Sequence, residues 1–107
     1  MRILRKITAS GGGVTPVSTT PYTVLSTDQN IYVDATAAPV VILLPPATAS
    51  GRKISIKKVD ATTNQVIVTG DVTGTPDIVD GAPTFPLDYQ WAAIAVHDAL
   101  NNTWYVQ

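Results

Sequence analysis

The sequence of 107 residues contains no cysteine, which excludes a disulfide framework, thiolate catalysis and a cysteine zinc site. It also contains no glutamate, so all eight acidic residues are aspartate. Aspartate favours turns and caps, whereas glutamate favours helix interiors, and the exclusive use of aspartate therefore indicates strands and turns. No window reaches the roughly 18 apolar residues that a membrane-spanning helix needs. The basic residues at the start are not followed by the apolar run of a signal peptide.

Charge is also sparse. Seven lysines and arginines oppose the eight aspartates, so the formal net charge is −1 with histidine neutral. This balance gives no electrostatic reason to expect a nucleic acid or an anionic membrane as a partner. A chain of this length forms one domain and buries only about 60–70% of the surface that its unfolded form exposes. An isolated copy should therefore be modestly stable, which favours an oligomer.

The clearest structural pattern lies in residues 51–70. Apolar and polar side chains alternate along residues 53–59 and again along residues 65–69, as in strands with one buried face and one wet face. The segment between them, residues 60–64, consists mostly of short polar side chains that favour turns. We therefore predict a β-hairpin, or a strand–loop–strand unit, that displays basic side chains from a rigid sheet.

Other strand signals follow at short intervals, at residues 22–25, 30–34, 90–97 and 104–107. The apolar run at residues 40–44 is too short for a helix between its flanking prolines, and we predict a strand buried on both faces. Asp80 and Gly81 form a strong turn dipeptide. The last two strands should be joined by a connection over residues 98–103, which is long for a hairpin.

The expected fold is an all-β domain over residues 21–107 with no helix longer than a turn or two. Regular strand spacing predicts a small antiparallel β-sandwich, jelly roll or barrel-like domain. A β-prism or β-helix in which chains share sheets is the alternative.

Residues 1–20 differ in composition, because they hold three basic residues, no acid and the run Gly11–Gly13. Flexible glycines and extended prolines indicate an extended N-terminal arm or linker without its own core. One interpretation is a frayed terminus. The other is an arm that docks on a partner or a neighbouring subunit and loses conformational entropy on binding. The docking side chains would then be Arg2, Ile3, Leu4, Arg5, Lys6 and Ile7.

Few residues suggest catalysis. His97 is the one candidate general base, but Asp98 beside it should point to the opposite face of the strand, and no serine elbow or thiol supplies a nucleophile. Asp71, Asp77 and Asp80 lie near glycines without calcium-loop spacing, so we interpret them as turn formers. We expect no enzyme, no metal and no cofactor.

Two surface features remain. Arg52, Lys53 and Lys57 could contact a phosphate or an acidic surface, although a solvated sheet face explains them as well. Lys58 should lie on the apolar side of the same strand, past the edge of the core. Trp91, Trp104 and the tyrosines could form a sugar-binding platform, but aromatic residues more often fill β cores and subunit interfaces.

Several segments, taken in order, resemble a β-rich module of tailed-bacteriophage structural proteins of the head-decoration, head-fibre and tail-fibre type. They are NIYVDA (30–35), VILLPPA (41–47), GRKISIKKVD (51–60), NQVIV (64–68), IVDG (78–81) and NTWYV (102–106). The resemblance covers residues 22–107 and departs at 98–101, where the usual Asp-Gly closing turn is missing. It implies a virion component assembled in the host cytoplasm and, by analogy, a homotrimer, and it carries over no catalytic residues.

A short chain with one such module and a leading arm favours a capsid decoration or head-fibre protein. Its partners would be copies of itself and the major capsid protein or another virion protein, with no nucleic acid and no membrane. Residues 40–44 and Trp91 supply apolar area that other subunits could cover. A small tail-fibre or host-surface adhesin component is the alternative function.

Overall fold

The computed structural model describes residues 13–107, which form ten strands and no helix. The all-β class is therefore confirmed. In chain order the strands are β1 (Val14–Val17), β2 (Tyr22–Thr23), β3 (Asn30–Val33), β4 (Val40–Leu43), β5 (Lys53–Lys58), β6 (Val66–Thr69), β7 (Ile78–Val79), β8 (Thr84–Leu87), β9 (Ala93–Leu100) and β10 (Thr103–Val106).

The strands build two sheets, one of six strands in the order β1-β3-β5-β9-β10-β7 and one of four in the order β2-β4-β6-β8. From β1 to β8 successive strands alternate between the sheets, so the chain winds around the core. The two-sheet arrangement agrees with the predicted small β-sandwich. The predicted antiparallel pairing is wrong for five of the eight neighbouring pairs. Sequence neighbours up to β9 lie in different sheets, so β1, β3 and β5 pair in parallel in one sheet, β2, β4 and β6 pair in parallel in the other, and β7 pairs in parallel with β10.

Of the two alternatives predicted for residues 51–70, the hairpin is wrong for the same reason, and the strand–loop–strand unit is confirmed. The two strands exist, but β5 lies in the six-stranded sheet and β6 in the four-stranded sheet. The connection between them crosses from one sheet to the other. Alternation in sequence shows that each strand has one buried face, and both sheets bury such a face, so the pattern does not distinguish a hairpin from a crossing.

The last two strands do form a hairpin, and its connection is shorter than predicted. β9 runs to Leu100, which pairs with Thr103, so Asn101 and Asn102 alone connect the strands. Asn102 adopts a left-handed backbone conformation (φ 62°), which asparagine tolerates better than most residues. A bulge follows between Thr103 and Trp104. The turn predicted at Asp80-Gly81 is confirmed, since both residues have positive φ as a type I′ turn requires.

The β domain begins at Val14 and not at residue 21. β1 pairs in parallel with β3, and Val17 is buried in the core. Val17 O accepts a hydrogen bond from Asp34 N (2.8 Å), so the backbone groups of the preceding Pro16 point away from β3. Proline has no N–H and suits such an edge. The predicted docking side chains of residues 2–7 lie outside the described residues.

The core lies between the two sheets and is formed by the inward-facing residues of both. Trp104 is fully buried, and its indole N–H donates a hydrogen bond to Pro45 O (3.2 Å). β4 is not buried on both faces as predicted, because Val40 and Ile42 face the core while Val41 and Leu43 are half-exposed on the outer face of the sheet. The main core side chains are Val17, Ile31, Val33, Val40, Ile42, Leu44, Ile54, Ile56, Val66, Val68, Val79, Leu87, Ile94, Val96 and Trp104.

Lys58 is fully buried, which corrects the prediction that it extends past the edge of the core. Its Nζ lies 2.6 Å from the carboxylate of Asp60. That carboxylate also accepts hydrogen bonds from Ala35 N (2.7 Å) and from the backbone and hydroxyl of Thr62. Burial alone would raise the pKa of Asp60, but the hydrogen bonds from Lys58, Thr62 and Ala35 hold it well below its usual range.

Asp98 is a second buried acid, only 2% exposed. Its carboxylate accepts hydrogen bonds from Thr48 N (3.1 Å), from Ala49 N (2.9 Å) and from the amide and hydroxyl of Ser50 (3.2 and 2.6 Å). Burial would raise the pKa of Asp98, but these donors lower it below its ordinary value. The carboxylate therefore holds the loop before β5 against the six-stranded sheet.

Asp28 and Asp77 hold loops in the same way. Asp28 accepts hydrogen bonds from Leu25 N (2.8 Å), Thr15 Oγ1 (2.8 Å) and the Tyr22 hydroxyl (2.6 Å). Burial opposes these bonds, but together they lower the pKa of Asp28. Burial and the bond to Asp28 raise the pKa of Tyr22 to about 12. Asp77 accepts hydrogen bonds from the buried amide of Ala47 and from a side-chain amide of the β9–β10 turn.

Asp98→Asn should lower the free energy of unfolding at pH 7 by about 2–4 kcal/mol, because an amide nitrogen would face N–H donors in a buried site. The folded-state pKa of Asp98 lies below its unfolded value, so its stabilisation is full above about pH 4 and is lost as the pH falls through the folded-state pKa. The difference between wild type and variant should therefore shrink at acidic pH. Urea denaturation at pH 7 and pH 3 measures both effects.

Asp88→Asn is the matched control, because Asp88 is exposed and accepts a hydrogen bond from the Gln65 side chain (2.6 Å). It should change the free energy of unfolding by about 0.5 kcal/mol or less. Equal losses in the two variants would contradict the structural role assigned to Asp98.

Candidate functional site

The structure separates the basic cluster of residues 52–58. Arg52 Nη2 donates hydrogen bonds to Leu25 O (2.6 Å) and Asp28 O (2.7 Å), so this side chain fastens a loop. Lys58 lies in the core. Lys53 and Lys57 point outward from β5 and are the two lysines that the outer face of the six-stranded sheet presents among the described residues. Two of the three predicted contact residues therefore share a solvent-facing surface.

Lys57 lies in a row of outward-facing side chains that crosses the sheet. Tyr32 of β3 is its register partner on one side, and Ala93 of β9 is its partner on the other. Pro16 of β1 lies opposite Tyr32 and extends the row to the edge of the sheet. Neighbouring strands are about 4.8 Å apart, so side chains in such a row lie side by side.

Trp91 lies at the end of this row, in the turn that leads into β9. Ala92 N donates to Tyr89 O (3.0 Å) and Trp91 N donates to Lys58 O (2.8 Å), which fixes the turn to the sheet. The indole is 59% exposed, and the ammonium of Lys57 lies 5.7 Å from the ring centroid. This distance is within the range of a cation–π interaction. We call Tyr32, Lys57 and Trp91 the aromatic row.

The backbone at Trp91 is unusual. Its φ is 71°, and among the two central residues of the turn it alone has positive φ, which is the pattern of a type II turn. Glycine or asparagine normally occupies this position, because a large side chain there carries a steric cost of about 1–2 kcal/mol. Trp91 is exposed, so burial of its ring does not offset the steric cost of its left-handed backbone conformation. Residues with such strained conformations cluster at functional sites.

A second row on the same face joins Lys53, His97 and Tyr105 across β5, β9 and β10. Between the two rows lie small side chains, Ser55 and Ala95. The outward positions of the described strands β3, β5, β9 and β10 bear no carboxylate. Asp34 continues the outward side beyond β3, but its carboxylate accepts hydrogen bonds from the amide and hydroxyl of Thr36. The face is thus basic and aromatic.

The residues considered for catalysis are separated. His97 lies on the outer face, with Nδ1 3.4 Å from the Gln107 side chain, whereas Asp98 is buried on the inner face. The prediction that they point to opposite faces is confirmed.

The three aspartates considered for calcium each bond to protein groups. Asp71 accepts from Thr73 Oγ1 (2.6 Å), Asp80 accepts from the amide of Val106 (3.0 Å), and Asp77 is buried. In residues 13–107 no three potential ligand side chains come together as a metal site would require.

The outer face of the four-stranded sheet is different, because it carries no charged side chain. Register pairs place Val41, Ile67 and Pro86 in one row across β4, β6 and β8, with threonines and Leu43 in the next. We call this surface the uncharged face. Its outward side chains are Thr23, Val41, Leu43, Ile67, Thr69, Thr84 and Pro86.

Sequence reasoning did not find the aromatic row, since Tyr32 and Trp91 meet Lys57 only through strand register. Two features of the sequence were available as signals: Tyr32 does not occupy one of the apolar, core-facing positions of β3, and Trp91 follows a polar segment.

No protein-family model matches the sequence, and no curated protein matches it. Within the described part of the chain, no helix could span a membrane.

Trp91→Gly should be more stable than Trp91→Ala by about 1 kcal/mol, because glycine adopts positive φ without the steric cost that alanine retains. Thermal or urea denaturation of the two variants measures this difference. Neither variant has the indole ring, so the contribution of the ring to stability does not enter the comparison. Tyr89 is the control, since it lies in the same turn with ordinary φ and is 70% exposed. Tyr89→Ala should be more stable than Tyr89→Gly. An alanine variant as stable as the glycine variant at position 91 would contradict the assigned turn.

Proposed function

We propose that this chain is a non-enzymatic structural protein of a bacteriophage virion, a capsid decoration or head-fibre protein. The observation that supports this most is the construction of the β domain, in which buried aspartates hold the crossing loops and leave two unlike sheet faces exposed. A rigid body with distinct surfaces suits assembly with other proteins. The ordered resemblance over residues 22–107 supports the virion assignment and remains an analogy.

The edges of the sheets favour association through faces. β1 and β8 carry Pro16 and Pro86, and the other edge strands, β2 and β7, are two residues long. Short strands and prolines are poor templates for adding a strand from another chain. Partners of the described domain would therefore contact the flat faces, where side chains and not backbone groups determine specificity.

The uncharged face is the proposed contact between copies of the chain, in a homotrimer. Copies of one chain meeting through this face would bring no like charges together, whereas the opposite face would oppose lysines. Association would cover Ile67, Leu43 and Val41, which are half-exposed in the isolated domain. It would also add stability by mass action to a small domain.

Ile67→Lys should dissociate the trimer, because three lysines would enter an apolar contact. Light scattering after size exclusion should give about three times the chain mass of 11.3 kDa for wild type and the chain mass for the variant. Leu100→Lys is the control, since Leu100 is 51% exposed at the far end of β9 and its variant should stay trimeric. A concentration-independent monomer for wild type would overturn this assignment.

Docking on the capsid is assigned to Arg2, Ile3, Leu4, Arg5, Lys6 and Ile7. The basic side chains would meet acidic capsid residues and chiefly raise the association rate and its sensitivity to salt. Apolar contacts and the presence of three copies would supply much of the affinity. A variant that lacks residues 1–12 keeps all ten described strands, because β1 begins at Val14.

Full-length protein should co-sediment with undecorated phage heads, and the variant lacking residues 1–12 should not. Circular dichroism of the variant should retain the β spectrum, which shows that loss of binding is not loss of fold. Equal binding by both proteins would support the decoration function and contradict the docking role of the N-terminal residues. Binding by neither would contradict the decoration function and favour a tail component.

A further inference from the structure

We propose that the aromatic row of Tyr32, Lys57 and Trp91 is a binding site for an acidic polysaccharide. This site lies in the β domain and is independent of capsid docking, so either proposal can fail without the other. It would give the virion a second contact, with a glycan that carries carboxylate groups.

The geometry of the row suits a chain of sugar rings. Tyr32 is 41% exposed and Trp91 is 59% exposed, and Lys57 lies between them in register with Tyr32. The backbone of β3, which carries Tyr32, and that of β9, which Trp91 precedes, are two strand spacings apart, or about 10 Å. Aromatic faces present apolar area on which the C–H face of a sugar can stack. The ammonium between the rings can pair with a carboxylate on the same ligand.

Charge on this face favours an anion. Lys53 lies on the same face, beyond the intervening row of Ser55 and Ala95, and the outward positions of the surrounding strands bear no carboxylate. Two carboxylates lie nearby, Asp34 at the rim, which is bonded to Thr36, and Asp88, which accepts a hydrogen bond from Gln65. Neutral donors do not cancel the charge of a carboxylate, so the anionic group of a ligand should lie at Lys57 and not beside these two acids. Outside the core the described residues carry four aspartates and three cations, so this face is the basic part of a weakly acidic surface.

The shape favours a narrow ligand over a protein. A stable protein interface buries about 800 Å² on each partner, and this row is one side chain wide. It continues toward the edge of the sheet as a mostly apolar groove, which Asp34 and Ser18 also line beside Val14, Pro16, Tyr32 and Val59. A linear polymer can follow the row from Trp91 to Tyr32, and the carboxylate of Asp34 disfavours a uronate beyond that point. The turn that holds Trp91 is fixed by backbone hydrogen bonds, so little ordering of the protein is needed on binding.

Oligogalacturonide and hyaluronan oligosaccharide are the probes, because both carry uronates on pyranose chains. Binding should change the fluorescence of Trp91, since the second tryptophan, Trp104, is buried. Fully methyl-esterified oligogalacturonide, which keeps the rings and lacks the charge, should bind at least about fivefold more weakly. Inorganic polyphosphate, which keeps the charge and lacks the rings, should also bind at least about fivefold more weakly.

Calorimetry on variants identifies the site. Trp91→Ala and Tyr32→Ala should each weaken binding about tenfold. Lys57→Gln should weaken it about fivefold or more, whereas Lys53→Gln, the same change four residues along the strand, should weaken it less than about twofold. Tyr89→Ala, which removes an exposed ring outside the row, should bind like wild type.

Three results would overturn the proposal. The first is no binding of either uronate oligosaccharide by wild type. The second is that Lys57→Gln and Lys53→Gln weaken uronate binding equally and that polyphosphate binds tightly. This result would show that the positive charge of the face attracts any anion without a specific site. The third is a lower oligomer mass in Trp91→Ala, which would assign this face to contacts between copies of the chain.

Discussion

Four buried aspartates, Asp28, Asp60, Asp77 and Asp98, hold the described structure together at its loops. Each carboxylate accepts hydrogen bonds from at least one backbone amide of a connecting segment. A buried amide without a partner would cost about 1–3 kcal/mol. Aspartate suits this role because its carboxylate lies close to its own backbone and can reach loop amides that pass beside a strand end. This requirement accounts for four of the eight aspartates.

The winding of the chain makes these contacts necessary. From β1 to β9 successive strands lie in opposite sheets, so their connections cross the ends of the core and cannot be tight hairpin turns. Crossing segments expose backbone groups that no neighbouring strand satisfies. Asp98 satisfies three such amides in the segment before β5, and Asp60 with Lys58 satisfies the segment after it. The lysine-bearing strand β5 is thereby fixed at both ends, which holds Lys57 of the aromatic row in place.

Alternation identified β5, β6 and most other strands correctly, because a half-buried strand shows this pattern in any sheet. Sheet membership could not be predicted, since an inward face looks the same in either sheet and the pairing depends on long-range register. The burial of Lys58 depends on Asp60, whose loop position is not apparent from a strand pattern. Tyr32 and Trp91 come together across β5, so the candidate site required the register as well. The prediction that residues 40–44 are buried on both faces is wrong, because apolar content alone does not show whether another layer covers the outer face of a sheet.

Native-state hydrogen exchange tests the role of the aspartates most directly. The amides of Ala35, Ala47 and Ala49 lie outside the strands, yet they donate to buried carboxylates and should be protected nearly as strongly as amides of β5. The amides of Val72 and Gly74, in an exposed loop, should exchange rapidly. Exchange of Ala35, Ala47 and Ala49 as fast as that of Val72 would show that the carboxylates do not hold these loops and would contradict this account of the fold.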